Sequence, residues 1–392
     1  MSYERKRLGD YIDILPGYAF KSNTFSEVGI PIIKIKNIMP PYVNLEDTSF
    51  VPKEEADAHS KYHLKYNDVL IALTGSHINQ MASVVGRVAR VKYNSLSLLN
   101  QRVGKVTVKN FDICDINFVY YFLSQESTKI TLASKAGGAA NQANISPADV
   151  KNLMIPFPGI EIQHRIADIL SAYDDLIENN QKQIILLEEA AQRLYKEWFV
   201  DLRFPCYEDV SFEDGIPVGW RKEIVGNLIG KVPRTKQIMS SEYKKEGMIP
   251  IIDQSREFIA GYTDDNEARI EVSVEPIIVF GDHTRILKLI QFPFAKGADG
   301  TQLIISCNSN MPQRLLYCSL VNIDLSNYHY ARHFKYLKAE QILVPTIEIA
   351  NQFEEITKGL YAQVQVCRNR ILHAQNARDR LLPKLMSGEL KV

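Results

Sequence analysis

Apolar side chains recur along residues 166–198 at spacings that alternate between four and three. This period of 3.5 residues keeps one stripe of side chains on the same face of an α-helix for more than four heptads. A helix of about 50 Å, at 1.5 Å per residue, is too long for one small core to cover. The pattern predicts a helix that pairs with another helix through Ile166, Leu170, Tyr173, Ile177, Asn180, Ile184, Leu187, Ala191, Leu194 and Trp198.

A second stretch near the end of the sequence has the same period but is less regular, because Thr357 and Arg378 interrupt its apolar stripe. Pro383 lacks a backbone donor, so we expect this helix to end or kink within its last turn. The pair Ser387-Gly388 should then terminate it. The predicted pairing positions are Phe353, Thr357, Leu360, Val364, Cys367, Ile371, Ala374, Arg378, Leu381 and Leu385.

The two helical stretches are copies of one another. When the sequence is shifted by 187 positions, ten of the 44 residues from 155 to 198 are identical to their counterparts, against roughly three expected from ordinary composition. Pro158, Ile160 and Glu161 fall on Pro345, Ile347 and Glu348. Each copy follows a longer segment that barely resembles the other, so the sequence predicts two like helices and two unlike modules.

The first helix is predicted to pair with the second. With a whole module between the helices, antiparallel pairing gives the two halves of the chain pseudo-twofold symmetry, and we expect that orientation. A centred register places Trp198 at Phe353, Asn180 near Ile371, and Tyr173 against Arg378. The alternative is that each helix packs only on its own module. Asn180 is either a tolerated polar defect in the stripe or a residue that fixes the pairing register.

The modules read as mixed α/β. In the first module, strands are predicted at residues 31–35, 69–73, 84–88 and 103–108, and a helix at 117–125. The second module repeats this outline, with strands at 249–252, 276–280 and 303–305. A turn at residues 215–220, rich in proline and glycine, connects the first helix to the second module.

Polar loops occupy matching places in both modules, one after the second strand and one before the long helix. Side chains of these types read base edges and hold phosphates in protein–DNA complexes, although any one of them is equally consistent with an ordinary solvated loop. The candidate DNA-binding residues are Thr74, Ser76, His77, Asn79, Gln80, Asn141, Gln142 and Asn144 in the first module, and His283, Thr284, Arg285, His329, Tyr330, Arg332, His333 and Lys335 in the second.

Composition and charge refine this interpretation. The 392 residues carry 46 basic and 46 acidic side chains, which by itself argues against nucleic acid. The modules are nevertheless mildly basic, with 18 basic and 14 acidic residues in 1–155, and 16 and 14 in 221–345. The charged N-terminus and the absence of a long apolar stretch predict a cytoplasmic protein that makes no membrane contact.

The sequence holds no motif for catalysis or metal binding. It lacks a phosphate-binding GxxxxGK loop, a GxGxxG motif opening a helix, an HExxH motif and a base-methylation motif of the Asn-Pro-Pro-Tyr type. The five cysteines are not at zinc-ligand spacing, which favours buried free thiols. We therefore expect neither a catalytic site nor a metal site, and no cofactor bound by this chain.

The ends of the two helices, LYKEWFVD at residues 194–201 and LLPKLMSGEL at 381–390, resemble those of type I restriction-modification specificity subunits. The turn at 215–220 and the opening LGDYI at 8–12 are similar as well, so the likeness covers the whole sequence. The resemblance implies target recognition domains at 1–155 and 221–345. It also implies conserved helices at 156–201 and 346–392, with a linker at 202–220.

The resemblance further implies a non-catalytic subunit that binds double-stranded DNA. Each recognition domain would read one half of a two-part target, and the helices would form an antiparallel coiled coil that sets the spacing. Methyltransferase subunits, two per chain, would dock on the helices, and restriction subunits would join the full complex. S-adenosylmethionine, ATP and magnesium are expected on those partners.

Other functions remain open from the residues alone. The chain could be the DNA-reading subunit of another split-site restriction system. It could also be a coiled-coil scaffold that joins proteins without binding DNA, or an enzyme that itself acts on DNA.

Overall fold

The computed structural model describes residues 3–75, 85–137, 143–230, 232, 233, 235–272, 274–328 and 332–392. It confirms the predicted mixed α/β fold with two long helices. The chain divides into two compact units, which we call unit 1 (Met1–Ile177 and Leu372–Val392) and unit 2 (Glu178–Ile371). Among the described residues, no helix has both the length and the apolar character needed to cross a membrane.

Unit 1 contains short strands and helices before the first long helix. Its helices are α1 (Lys53–Ala58), α2 (Ile116–Ser124), α3 (Glu126–Lys135) and α4 (Pro147–Lys151). Its strands are β1 (Arg5–Arg7), β2 (Ile12–Pro16), β3 (Ile30–Ile33), β4 (Ile38–Met39), β5 (Tyr42–Val43), β6 (Ser49–Val51), β7 (His63–Leu64), β8 (Val69–Ala72), β9 (Thr74–Gly75), β10 (Val88–Arg90), β11 (Ser97–Leu99), β12 (Val103–Val108), β13 (Ala143–Asn144) and β14 (Met154–Pro156).

The main sheet of unit 1 has the order β2-β12-β8-β10-β5-β4, and a second sheet has the order β6-β3-β11-β7. In the second sheet, β3 and β11 are parallel. The predicted strands at 31–35, 69–73 and 103–108 correspond to β3, β8 and β12. The strand expected at 84–88 instead begins at Val88, after a turn in which Gly86 has φ +76°.

The first long helix, α5 (Ile160–Tyr195), begins in unit 1 and ends in unit 2, where a π-helical turn at Lys196–Val200 follows it. Unit 2 contains the helices α6 (Val225–Leu228), α7 (Gln313–Val321) and α8 (Phe334–Ala339). Its strands are β15 (Phe212–Glu213), β16 (Ile216–Pro217), β17 (Arg221–Ile224), β18 (Gln237–Ile238), β19 (Ile249–Ile252), β20 (Gly261–Thr263), β21 (Arg269–Ile270), β22 (Ile277–Gly281), β23 (Leu287–Ile290), β24 (Phe294–Gly297), β25 (Thr301–Ile304) and β26 (Gln341–Val344).

The sheets of unit 2 repeat the arrangement of unit 1. The order β23-β22-β25 matches β10-β8-β12, and the parallel pair β19 and β24 matches β3 and β11. An antiparallel pair closes each unit at the start of its long helix, β1 with β14 and β17 with β26. The two modules therefore share a topology, although their sequences barely resemble one another.

The second long helix, α9 (Ile347–Ser387), continues through Pro383 instead of ending there. It stops where the Ser387-Gly388 pair predicted, and Gly388 has φ +78°, the left-handed conformation that commonly follows a helix. Pro383 removes one backbone hydrogen bond from the helix, and the helix continues for four residues beyond it.

Each unit builds its core from its module together with parts of the long helices. In unit 1, Ile166 and Leu170 of α5 and Leu385 and Met386 of α9 are buried in the same apolar cluster as the side chains of α2. In unit 2, the corresponding cluster contains Ala191, Trp198, Phe353 and Val364. In each unit, the apolar stripes predicted from the sequence therefore pack both on the other long helix segment and on the module.

A buried ionic network joins the helix segments of unit 1. The Asp174 carboxylate, 2% exposed, accepts hydrogen bonds from Arg90 of β10 at 2.6 Å, from Arg378 of α9 at 2.8 Å and from the Tyr121 hydroxyl at 2.7 Å. The Arg90 guanidinium lies 4.3 Å above the Tyr120 ring. Arg378, which interrupts the apolar stripe in the sequence, is therefore paired with the residue next to its predicted neighbour Tyr173.

Contacts between the helix segments of unit 2 include aromatic and charged pairs. The ring centroids of Trp198 and Phe353 are 5.8 Å apart, as the register from the sequence predicted. Arg368 donates to Glu188 at 2.8 Å. Thr357, the other interruption of the second stripe, is fully buried, but its hydroxyl donates to the backbone oxygen of Phe353 at 2.8 Å. A helix can therefore carry this polar side chain inside the core.

Candidate nucleic-acid interface

The two polar loops predicted in the first module meet at one edge of unit 1. Strand β9, which follows β8, pairs with β13 in the second loop. Leu73 lies at the centre of this edge, because its N–H donates to the Arg102 oxygen at 2.8 Å and its carbonyl accepts from the Ile145 N–H at 2.9 Å. Three chain segments, those of Arg102, Leu73 and Ile145, are therefore neighbours.

Unit 2 contains the same arrangement. The Asp282 N–H donates to the Gly300 oxygen at 2.7 Å, and the Asp282 carbonyl accepts from the His333 N–H at 2.8 Å. Asp282 thus takes the place that Leu73 has in unit 1, and the segments of Gly300 and His333 flank it. We call these two sets of segments the loop edges of unit 1 and unit 2.

The predicted residues of unit 1 fall only partly within the described chain. The Thr74 side chain is buried, and its hydroxyl donates to Oδ1 of the exposed Asn144 at 2.8 Å. This bond orients the Asn144 amide at the surface of the edge. The remaining predictions, Ser76, His77, Asn79, Gln80, Asn141 and Gln142, lie outside the described residues.

The predicted residues of unit 2 are joined by side-chain contacts. Arg285 donates through Nε to Nε2 of His333 at 3.3 Å and through Nη2 to the Tyr328 oxygen at 2.9 Å. The Asp282 carboxylate accepts from the Phe334 N–H at 2.7 Å. Both predicted loops are therefore held together, while His329 and Tyr330 lie outside the described residues.

The predicted side chains of unit 2 differ in exposure. His283, Thr284, Arg332 and Lys335 are exposed, whereas His333 is only 4% exposed. Burial and the neighbouring Arg285 guanidinium lower the pKa of His333, which favours the neutral ring as acceptor for Arg285. His333 therefore orients Arg285, and the exposed residues are the ones available to a ligand.

Gln254 is a central residue of the unit 2 edge that the sequence did not single out. Its side-chain oxygen accepts from the His283 N–H at 3.0 Å, and its amide donates to the Asp299 oxygen at 2.8 Å. The Thr284 hydroxyl donates to its backbone oxygen at 2.7 Å. Gln254 thereby ties the loop after β19 to the loops after β22 and β24.

Lys288 anchors the same loop from inside the unit. It is 5% exposed and donates to the backbone oxygens of Asp253, at 2.9 Å, and Glu257. Burial lowers its pKa to about 8, against the opposing effect of the Asp253 and Glu257 carboxylates. No sequence signal marks this role, because Lys288 stands in a strand of ordinary alternating appearance, Leu287–Ile290.

The comparisons with known proteins agree with these features. The profile of the type I restriction modification DNA specificity domain matches residues 2–189. The MjaIX specificity subunit of Methanocaldococcus jannaschii is 25% identical over 299 residues, which cover 69% of this chain and 68% of that protein. The putative MjaX specificity subunit of the same organism is 27% identical over 269 residues, covering 65% of this chain and 60% of that protein.

The fold also matches a solved structure along its length. The crystal structure of a type I restriction-modification S subunit from M. genitalium aligns with a TM-score of 0.59 and 16% identity, covering 98% of this chain and 96% of that one. At this identity the likeness concerns the fold alone. The family profile and the specificity-subunit relatives bear out the sequence resemblance. Residues 2–189 belong to the family of type I restriction modification DNA specificity domains, and as a type I specificity subunit the chain recognises DNA sequence and leaves catalysis to its partners.

Proposed function

We propose that this specificity subunit reads a two-part target in double-stranded DNA, with the loop edge of unit 1 on one half and the loop edge of unit 2 on the other. The observation that carries the proposal is the repeated backbone arrangement, in which Leu73 and Asp282 occupy equivalent places between two flanking segments. Equivalent frames with different side chains suit a target whose halves differ in sequence.

The long helices are proposed to separate the two reading edges as an antiparallel coiled coil. Within unit 2, Gln183 lies against Cys367 and Trp198 against Phe353, so position along α5 rises as position along α9 falls. Asp174 and Arg378 supply the contact in unit 1. At 1.5 Å per residue the helices measure about 54 and 62 Å. DNA half-sites one helical turn apart lie roughly 34 to 36 Å from centre to centre, which helices of this length can span.

Methyltransferase subunits are the proposed partners of the long helices. Ile185 and Leu186 of α5 are 56% and 64% exposed, which is unusual for neighbouring large apolar residues on a helix. The family membership gives the occupant, and the repeated helices suggest two copies. The restriction subunits, and the S-adenosylmethionine, ATP and magnesium used by the partners, stay proposals from the resemblance.

DNA binding by the chain alone should be weak and sensitive to salt. Its charges balance overall, so the chain supplies few phosphate contacts, which makes binding weak. The contacts that it does make release counterions, which makes binding depend on salt. Binding should tighten when methyltransferase subunits contribute their own contacts. Equal affinity with and without the methyltransferase, at matched salt, would count against this scheme.

The direct test is to map methylated bases in the genome of a host that carries the chain and its methyltransferase. We expect new methylation at a motif of two short half-sites separated by a spacer of fixed length. A contiguous motif, or methylation that does not depend on this chain, would refute the proposal.

A further inference from the structure

Arg102 has a backbone conformation that an arginine rarely adopts. Its φ is +69°, in the left-handed region where the Cβ atom crowds the neighbouring carbonyl group. Strained residues of this kind persist only where the surrounding structure holds them, and they concentrate at functional sites. Either the turn requires this conformation of an arginine, or the arginine side chain has a function at this position.

The backbone does not require an arginine. In unit 2 the equivalent residue is Gly300, which has φ +83° and accepts from the Asp282 N–H, as Arg102 accepts from the Leu73 N–H. Glycine occupies this conformation without strain. Unit 1 thus has an arginine where unit 2 has glycine, the residue best suited to this turn. A function of the arginine side chain would explain why arginine occupies the strained position.

The turn that carries Arg102 is rigid. The Gln101 N–H donates to the Tyr18 oxygen at 2.8 Å and to Oδ1 of Asn100 at 2.6 Å. The neighbouring Gly17 backbone approaches so closely that a Cβ atom there would lie 2.0 Å from the Asn100 oxygen. The side chains of Gln101 and Arg102 are exposed beyond this fixed backbone, which is how a recognition residue is best presented.

Arg102 also lies near a residue that is predicted to bind DNA. Its segment lies beside Leu73, and Leu73 lies beside Ile145, so the backbone of Arg102 is about two strand spacings, or about 10 Å, from the segment of Asn144. That distance corresponds to about three base steps of 3.4 Å. Within the described part of the chain, the Arg102 guanidinium has no hydrogen-bond or ion-pair partner. Its donors are therefore available to a ligand.

We propose that Arg102 specifies one base pair of the half-site read by unit 1, by donating two hydrogen bonds to O6 and N7 of a guanine in the major groove. This pairing is the commonest specific arginine contact with DNA and matches the fork of the guanidinium. The inference rests on the proposed function, since it assumes that the unit 1 edge faces DNA.

The test combines a methylation map with a stability measurement on Arg102→Gly. The glycine removes the side chain and relieves the strain, so the melting temperature of the purified full chain should stay equal or rise. In cells with the methyltransferase, one G·C position of one half-site should lose its selectivity by roughly ten- to a hundred-fold, the range of one good bidentate contact. The other half-site and the spacer should not change.

Asn67→Gly is the matched control, because Asn67 is exposed and has φ +65° at the opposite end of β8. It should leave the motif intact. An unchanged motif in Arg102→Gly would overturn the inference, as would an even loss of methylation at all sites, which indicates a phosphate contact. A lower melting temperature with both halves weakened would make Arg102 structural. Absence of a two-part motif with the wild-type chain would instead refute the proposed function.

Discussion

Asp174 shows how one residue can tie the module of unit 1 to both long helices. The carboxylate is buried and accepts from Arg90, Arg378 and Tyr121, which belong to a strand, to α9 and to α2 of unit 1. Removing one partner of a buried ionic network leaves the others unpaired in a medium of low polarity, and this costs far more than the net contribution of the intact network. Asp174 is therefore expected to be critical for unit 1.

Replacement of Asp174 by alanine should lower the free energy of unfolding by about 3 to 5 kcal/mol, since two guanidinium groups lose their buried counter-charge. Urea denaturation of the full chain measures this change. Asp175→Ala is the control, because Asp175 is an exposed neighbour on the same helix and should change stability by less than about 0.5 kcal/mol. Similar values for the two variants would contradict the role assigned to Asp174.

Lys288 predicts an unusual dependence of stability on pH. Burial holds its folded-state pKa at about 8, below that of an unfolded lysine, which is about 10.4. Between these values the unfolded chain binds the proton and the folded chain does not, so the free energy of unfolding should rise with pH in this window. We expect Lys288 to raise the free energy of unfolding by about 1 to 3 kcal/mol across this window.

The measurement is a series of denaturation curves from pH 7.5 to 10 on the wild type and Lys288→Met. The wild type should gain stability relative to the variant as the pH rises, because methionine has no proton to lose. Parallel curves would show that the Lys288 ammonium is not destabilised by burial. Tyrosine and lysine side chains that titrate elsewhere cancel in the difference.

Among the elements of secondary structure, the long helices carry the proposed docking surface. Leu186→Glu places a charge on the most exposed large apolar side chain of α5 and should weaken methyltransferase binding by tenfold or more without unfolding the chain. Light scattering of mixtures of the two proteins reports the assembly. Met248→Glu is the matched control, since Met248 is 71% exposed in unit 2 but lies just before β19. Equal assembly by both variants would exclude this surface.

The elements were predictable to different degrees. The strand at 249–252 and the end of α9 at Ser387 coincide with the sequence patterns, because apolar runs and a glycine stop are local signals. The helix continues through Pro383, because burial of Leu385 and Met386 in the core of unit 1 favours a helical last turn over the break that the proline alone predicts. The heptad pattern also missed Asp174, because a buried carboxylate paired with distant arginines resembles a surface residue when only sequence is read.

The candidate site was less predictable than the elements. The polar loops were recognised by residue type, and the structure brings each pair together. The roles of Gln254, Lys288 and Arg102 depend on backbone contacts between segments far apart in sequence, such as Leu73 with Arg102 and Asp282 with Gly300. A positive φ at an arginine has no sequence signature at all, whereas Gly300 in the turn of unit 2 is a usual turn residue.

For the whole molecule, each unit is proposed to read one half-site, with the helices as the spacer between the half-sites. The structure gives the units the same loop edge on different sequences, and the family membership makes DNA the target. Changing one module should therefore change one half of the recognised motif and nothing else.

The most direct test is to replace residues 8–150 with the corresponding segment of a related specificity subunit and to map the methylated bases again. We expect one half-site to change, while the other half-site and the spacer length stay as in the wild type. A motif in which both halves or the spacer change, from a variant that assembles normally with its methyltransferase, would contradict this expectation.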